Sequence, residues 1–580
     1  MMRMRRFPRL VLVASLALTA FAAWSRPARA QVVVVTARSL DALIGEFRYL
    51  AENVGSEEDA KKVTDGLDKL KGTELLKGVD TTRPFGLFGS IAKEAGAPPT
   101  GTLFIPVTDG QAVLATLEQA GFVVQEDPGV AGFTHRITPP GGAAGVPLLA
   151  VLTKDYLLAT TGTGGADELK ALRPETLLPK TPGAGTLSVR LRLDQIPEEY
   201  KALVLGQIEQ RLAAERDRKP GESDAEYQGR LAGMAFTQEA FDTLLKEAAE
   251  LGLDLRVDTE AGTAAFELSM GATPGSKLAE TVRSFGAARS LFRNIGKDAA
   301  FDGWANLPLS GPLRKAIDTT IQQGRIQAAK AAEEKDRVLS TKLIDALEPT
   351  LKGETFDLGA ALYGPYPEDA GKTPVYAALV GLKVKDGAKI EAFFREAVSN
   401  QDDEDKKKAK VSLDFVKASP EGPAVHKVEL LEKNEGDELF GKADLYLSVR
   451  DDVILLSLGS HGQDVLKDAL ARTADKAPAG TTQLELAAFL KRVAPMTGDD
   501  DEERAAAKEV AAETFVGEDA DKDAVRLRVG TEGDYLRISL TADVPALSFL
   551  AAIGDDDDDD DDKADKKDDD KTEKDDKDDN

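Results

Sequence analysis

The chain has 580 residues, 30% of them charged and 42% hydrophobic, and this length accommodates two or three domains with full cores. It carries 74 Lys and Arg against 101 Asp and Glu, a net charge of −27, which disfavours binding to nucleic acid. It contains no Cys and only three His. This composition excludes disulfides, thiolate metal sites and Cys nucleophiles, and it leaves little basis for His-dependent catalysis.

The first 30 residues have the three parts of a secretory signal peptide. Four Arg between positions 3 and 9 form a positive start, residues 11–24 are apolar, and Ala28-Arg29-Ala30 supplies the small-x-small pattern before Gln31. The alternative is an uncleaved anchor, and Arg5-Arg6 leaves export by the twin-arginine route open. We expect a secreted or periplasmic protein with no membrane span after cleavage.

Several short motifs recur in unchanged order, and at similar spacing, in the two halves of the chain. The repeated pairs are Val107-Thr108-Asp109-Gly110 with Val384-Lys385-Asp386-Gly387; Asp155-Tyr156-Leu157-Leu158 with Asp452-Val453-Ile454-Leu455; and Leu255-Arg256-Val257 with Leu527-Arg528-Val529. Each second copy lies almost half the chain after the first, which indicates duplicated domains, because solenoid repeats are only about 20–50 residues long. We predict two homologous units, 31–290 and 291–554.

Each predicted unit begins with two amphipathic helices, at 40–54 and 59–70 in the first unit and at 313–332 and 337–351 in the second. Strands at 84–91 and 355–363 follow, and then come helices that begin at Asp109 and Asp386. The next elements are hairpins at 148–160 and 443–458. The first unit then has a charged helical hairpin near 196–250, broken at Lys219-Pro220-Gly221. Hairpins at 253–270 and 525–540 close the units.

The strands that are adjacent in sequence favour antiparallel pairing. The predicted fold class is therefore α+β: two tandem duplicated units, each a mostly antiparallel sheet with packed helices, followed by a disordered acidic tail.

Two short motifs resemble known sites of chemistry. Ser90-Ile91-Ala92-Lys93 has the Ser-x-x-Lys spacing of penicillin-binding proteins and β-lactamases, but the chain has no Lys-Thr-Gly. Ser90 and Lys93 are therefore only weak catalytic candidates. Gly162-Thr163-Gly164-Gly165 lies where a dinucleotide-binding loop would lie, yet Asp167 replaces the third Gly and would repel a pyrophosphate. The sequence predicts no cofactor.

The C-terminal segment 555–580 has 17 acidic residues and six Lys, with no apolar side chain larger than Ala. Such a segment cannot bury a core, so we predict that it is disordered and that it aids solubility. Its first residues, Asp555, Asp556, Asp557 and Asp558, are candidates for weak, diffuse cation binding or for attraction to a cationic surface. They lack the spacing of an EF-hand.

A family resemblance rests on the signal peptide and on two segments, Arg83-Pro84-Phe85-Gly86-Leu87-Phe88-Gly89 and Phe104-Ile105-Pro106-Val107-Thr108-Asp109. By these features the chain resembles uncharacterised secreted bacterial proteins with a duplicated α+β domain of unknown function. The resemblance implies export but no activity. We expect an exported, non-enzymatic binding or scaffold protein with an unknown protein or small-molecule partner. The alternatives are an extracytoplasmic hydrolase with Ser90 and Lys93 as its only local candidates, and a carrier of an apolar ligand.

Overall fold

A computed structural model describes residues 29–92, 99–126, 128–140, 147–162, 165–178, 185–286, 289–309, 311–331, 333–366, 374–403, 405–419, 422–431, 436–473, 481–498 and 500–554. The predicted signal peptide, apart from Arg29 and Ala30, and the predicted acidic tail lie outside the described residues.

The described residues form twenty strands that belong to one sheet, in which every pair of neighbouring strands is antiparallel. The strands are β1 Arg29–Ala37, β2 Phe85–Ala92, β3 Thr100–Pro106, β4 Val123–Glu126, β5 His135–Thr138, β6 Leu148–Leu152, β7 Tyr156–Thr160, β8 Leu187–Arg192, β9 Ala248–Asp258, β10 Thr263–Ala272, β11 Phe301–Pro308, β12 Thr355–Tyr366, β13 Val375–Lys383, β14 Ala409–Lys417, β15 Ala424–Leu430, β16 Leu445–Arg450, β17 Val453–Leu458, β18 Thr482–Phe489, β19 Ala524–Glu532 and β20 Tyr535–Asp543.

Helices connect these strands. They are α1 Leu40–Val54, α2 Glu57–Gly72, α3 Gly110–Gln119, α4 Ala166–Ala171, α5 Glu198–Ala214, α6 Asp224–Glu247, α7 Lys277–Phe285, α8 Gly311–Lys330, α9 Glu334–Leu351, α10 Gly387–Ser399, α11 Asp405–Lys408, α12 Asp437–Phe440, α13 Gly462–Arg472, α14 Leu490–Val493, α15 Asp501–Thr514 and α16 Val544–Gly554. The predicted mixture of helices with an antiparallel sheet is confirmed. Within the described ranges, no helix is long and apolar enough to cross a membrane.

The order of strands across the sheet is the same in both halves. The first ten lie in the order β4-β5-β6-β7-β3-β2-β1-β8-β9-β10, and the second ten follow this order with each number raised by ten. The halves join where β10 pairs with β20, from Thr263 opposite Asp543 to Gly271 opposite Tyr535. Because these strands hold the same place in each half and run antiparallel, the halves meet through equivalent edges, as in an isologous contact.

A phenylalanine ring fills the same space in both halves but comes from different places in the chain. In the first half Phe104 on β3 is fully buried and its ring lies against Gly86. Gly381 on β13 is the second-half counterpart of Phe104, and there Phe292 from the turn before β11 packs against Gly381 and Gly359. The turn before β11 therefore completes the core of the second half.

Most predicted elements lie close to the observed ones. The helix at 40–54 and the hairpin strands at 148–152 and 156–160 have the predicted bounds, and the helical hairpin is α5 and α6 with its break at Pro220-Gly221. The first strand, β1, was not predicted. The helical prediction near 196–250 also runs too far, because β9 already begins at Ala248.

Candidate binding site

The structure places Ser90 inside strand β2, where it pairs with Gln31 on one side and Thr100 on the other. Its side chain is 3% exposed. No acidic or basic side chain of the described residues donates to or accepts from its hydroxyl. Lys93 and Asp555 to Asp558 lie outside the described residues.

The two strand histidines have structural partners. His135 is buried on β5 and its Nδ1 lies 2.9 Å from the Thr134 hydroxyl. His426 is fully buried on β15, and its Nδ1 accepts from the backbone N–H of Asp414 at 3.1 Å. Its proton is therefore on Nε2, which donates to Glu391 at 3.0 Å. These contacts hold each ring inside the fold.

The central strands β9, β10, β19 and β20 place a grid of apolar side chains on one face of the sheet, which we call the junction face. Residues that are directly opposite on paired strands, or two apart on one strand, share a face. The junction face consists of Leu251, Leu253 and Leu255 on β9; Phe266, Leu268 and Met270 on β10; Leu527 and Val529 on β19; and Leu536, Ile538 and Leu540 on β20.

The centre of the junction face is open to solvent. Phe266 is directly opposite Leu540 and Leu268 is directly opposite Ile538, and these four side chains are between 38% and 46% exposed. A single exposed apolar residue is ordinary on a protein surface, but a contiguous group typically marks a binding surface. The group lies where the two halves meet, so neither half forms it alone.

A cavity of about 580 Å³ continues the junction face at one end. Its floor is Met270, and its walls come from α6, with Phe241 and Leu244, and from the start of α7, with Leu278. This volume is in the range of small-molecule sites. The apolar surface thus runs from the open sheet into a partly enclosed space between two helices.

The rim of this cavity carries one exposed cation. Lys277 lines the cavity at the first position of α7. Two carboxylates, those of Glu239 and Glu247, also line the cavity, and the carboxylate of Glu247 accepts from the backbone N–H of Leu278 at 2.7 Å. In the described part of the chain, no carboxylate forms an ion pair with Lys277. A ligand with an apolar body and an anionic end would match this arrangement.

On the opposite face, Asp302 gives stability a pH dependence. Burial, with a contribution from Glu485, raises the pKa of its carboxyl from 3.8 to about 6. The folded chain therefore binds this proton more tightly than the unfolded chain, and stability falls as pH rises from about 4 to about 6.

We expect Asp302→Asn to stabilise the protein by about 1–2 kcal/mol at pH 7.5, because the variant has no carboxylate to bury. Each pKa unit corresponds to about 1.4 kcal/mol, and partial exposure to water reduces the total effect. At pH 4 the gain should vanish. Urea unfolding at pH 7.5 and pH 4 measures this gain in the free energy of unfolding. The control is Asp167→Asn, whose side chain is almost fully exposed. An equal gain at both values would contradict this assignment.

Sequence reasoning missed the junction face because an alternating pattern indicates only that one face is apolar. The available signal was that Phe266 and Leu268 recur as Ile538 and Leu540, at the same offset that relates Leu255 to Leu527. The pairing of β10 with β20 brings these repeats together. Comparisons of this chain with protein-family models, curated proteins and solved structures found no match.

Proposed function

We propose that the chain is an exported, non-enzymatic binding protein whose junction face holds the acyl chain of an amphipathic anion such as a fatty acid. The observation that carries this proposal is the set of four exposed apolar side chains, Phe266, Leu268, Ile538 and Leu540, that meet across the β10–β20 pair. An acyl chain laid on them removes apolar surface of both partners from water, which stabilises binding by about 0.8 kcal/mol per buried CH₂ group.

The dimensions and charge of the surface support this ligand class. From Phe266 to Met270 the strand rises about 14 Å, at about 3.4 Å per residue, so a long chain fits lengthways. The carboxylate end of the ligand would lie at the cavity beyond Met270, where Lys277 at the rim offers an ammonium group to the carboxylate.

Two further parts of the proposal concern the origin and location of the protein. We propose that the halves descend from one duplicated unit, which the repeated strand order and the repeated motifs support. We also propose that the protein is exported, which the signal-like residues before Gln31 support. Cleavage after Ala30 would leave β1 largely intact, because Gln31 still pairs with Ser90.

Titration with cis-parinaric acid, a fluorescent fatty acid, tests the proposal. The parent chain should bind it with a Kd in the micromolar range. Leu540→Glu places a charge in the middle of the open surface, and we expect it to weaken binding at least tenfold because the acyl chain would have to desolvate a carboxylate. Since Leu540 is already exposed, this change should leave the fold intact.

The matched control is Leu203→Glu, the same substitution at a leucine that is 61% exposed on α5 and belongs neither to the junction face nor to the lining of the cavity. It should bind as the parent does. Lys277→Gln should weaken binding of the fatty acid but not of the corresponding fatty alcohol, which carries no charge. Equal affinities for Leu540→Glu and Leu203→Glu would contradict the proposed site.

A further inference from the structure

A polar cavity of about 470 Å³ lies in the second half of the described chain, on the face of the sheet opposite to the junction face. The turn before β11, the end of β12 and helix α13 enclose it. Two cations, Lys297 and Arg472, and three carboxylates, those of Asp298, Asp464 and Asp468, line it together with the rings of Tyr366 and His461. The side chains from α13 are spaced by three or four residues, so they follow one face of that helix.

The guanidinium of Arg472 is held in a fixed position at the cavity. Its Nη1 donates to the backbone carbonyls of Ile295 at 3.1 Å and Lys297 at 3.4 Å, and to the Tyr363 hydroxyl at 3.0 Å. The hydroxyl of Tyr363 in turn donates to the Ile295 carbonyl. These partners are uncharged, so they fix the position of the guanidinium without neutralising its charge. The guanidinium can therefore bind a carboxylate.

Carboxylates line another part of the same cavity. Asp464 and Asp468 lie one helical turn apart on α13. Burial raises the pKa of the Tyr366 hydroxyl, and the charges of Asp468 and Asp464 raise it further. Among the described residues, the ion pair that joins the charges of this cavity is Arg472 with Asp468, and its N···O distance is 4.0 Å. No shorter ion pair between described residues neutralises the charges that line this cavity.

An aromatic pair forms one wall between these charges. The rings of Tyr366 and His461 stack with their centroids 4.0 Å apart and an interplanar angle of 17°. Such a wall favours the flat face or edge of another ring.

The first half lacks this set of side chains. At the offset that relates Asp155 to Asp452, the residues Gly164, Ala171 and Glu175 stand where the second half has His461, Asp468 and Arg472, and only Asp167 matches Asp464.

The strand pairing also shows which residue of this cavity holds the position that Ser90 has in the first half. Ser90 pairs with Thr100, and Tyr363 pairs with Ala377, which is the second-half counterpart of Thr100. Tyr363 therefore stands at the counterpart of Ser90, and Tyr366 lies three residues beyond it, as Lys93 does beyond Ser90. An aromatic side chain thus occupies the second-half counterpart of Ser90.

From these contacts we infer that the polar cavity binds a zwitterionic α-amino acid with an aromatic side chain. The carboxylate lies at Arg472, the ammonium group lies between Asp464 and Asp468, and the side chain packs against the Tyr366–His461 pair. A zwitterion satisfies both sets of charges at once, whereas an anion or a cation of the same size leaves one set facing a like charge. This site is independent of the junction face.

Isothermal titration calorimetry at pH 7.5 with three probes tests the assignment. L-phenylalanine carries both charges, phenethylamine lacks the carboxylate and 3-phenylpropionate lacks the ammonium group. We expect L-phenylalanine to bind with a Kd below about 1 mM and each analogue to bind at least tenfold more weakly. If L-phenylalanine shows no binding at about 10 mM, or if either analogue binds as tightly, the zwitterion assignment is wrong.

A variant locates the binding. The double change Asp464→Asn and Asp468→Asn removes both partners of the ammonium group and should weaken L-phenylalanine binding at least tenfold. Both side chains are exposed, so the fold should be kept, and an unchanged thermal midpoint checks this. The control is Asp167→Asn, the first-half counterpart of Asp464, which should bind as the parent does. An unchanged affinity in the double variant would place the ligand elsewhere and overturn the inference.

Discussion

Replacing Phe292 with Ala should lower the free energy of unfolding by about 3–5 kcal/mol, the range for large aromatic side chains in cores. Phe292 is 0% exposed, and its ring covers Gly359 and Gly381, which have no side chains to collapse into the vacated space. We therefore expect a cavity to remain.

Guanidinium unfolding monitored by circular dichroism measures this loss. Leu431→Ala, at a leucine that is 53% exposed, is the control and should change stability by less than about 0.5 kcal/mol. If Phe292→Ala were no more destabilising than Leu431→Ala, the turn before β11 would not be part of the core of the second half.

Removal of the Arg190 side chain should have an effect of similar size for an electrostatic reason. Arg190 is buried on β8, and its Nη2 lies 2.7 Å and 2.9 Å from the two carboxylate oxygens of Asp254, while its Nε lies 3.4 Å from Glu250. Arg190→Ala leaves the buried Asp254 carboxylate without its cation, which typically destabilises a protein by about 3–5 kcal/mol. It leaves the half-buried Glu250 with only a longer contact, 4.0 Å, to Arg192.

The dependence on pH separates this charge effect from a loss of packing. Burial already raises the pKa of Glu250, and Arg190 opposes that rise. Without Arg190 the folded-state pKa of Glu250 rises further, so the variant regains stability relative to the parent as pH falls. Urea unfolding at pH 7.5 and 4.5 should show a smaller deficit at pH 4.5. The double variant Arg190→Ala with Asp254→Ala should recover part of the lost stability at pH 7.5. A loss of stability that is the same at both pH values and in the double variant would contradict the charge account.

The local elements of the fold could be predicted because local chemistry determines them. Thr153-Lys154-Asp155 between two short apolar runs predicts the hairpin of β6 and β7, and Pro220-Gly221 predicts the break between α5 and α6. Strand β1 was missed because Val32 to Val35 is an uninterrupted apolar run with no alternation. In the structure Val32 and Val34 are buried while Val33 and Val35 are half-buried, so both faces of this strand need apolar residues.

The candidate sites could not be predicted because they depend on contacts between distant parts of the chain. Phe266 and Leu540 lie in opposite halves of the sequence and become neighbours only when β10 pairs with β20. The alternation in β10 predicts an apolar face, but it cannot distinguish a face covered by this chain from one left for a ligand. Likewise, the spacing of His461, Asp464, Asp468 and Arg472 is visible in the sequence, but the stacking of His461 on Tyr366 depends on a contact between distant segments.

The most direct test of the junction face as a ligand site is photo-crosslinking with a fatty acid that carries a diazirine on its acyl chain. After irradiation and digestion, mass spectrometry identifies the labelled peptides. We predict that labels concentrate in 248–272 and 524–543, the segments that form β9, β10, β19 and β20, and that an excess of unlabelled fatty acid suppresses them. Labels confined to other segments, or labels that the competitor does not reduce, would contradict the proposed function.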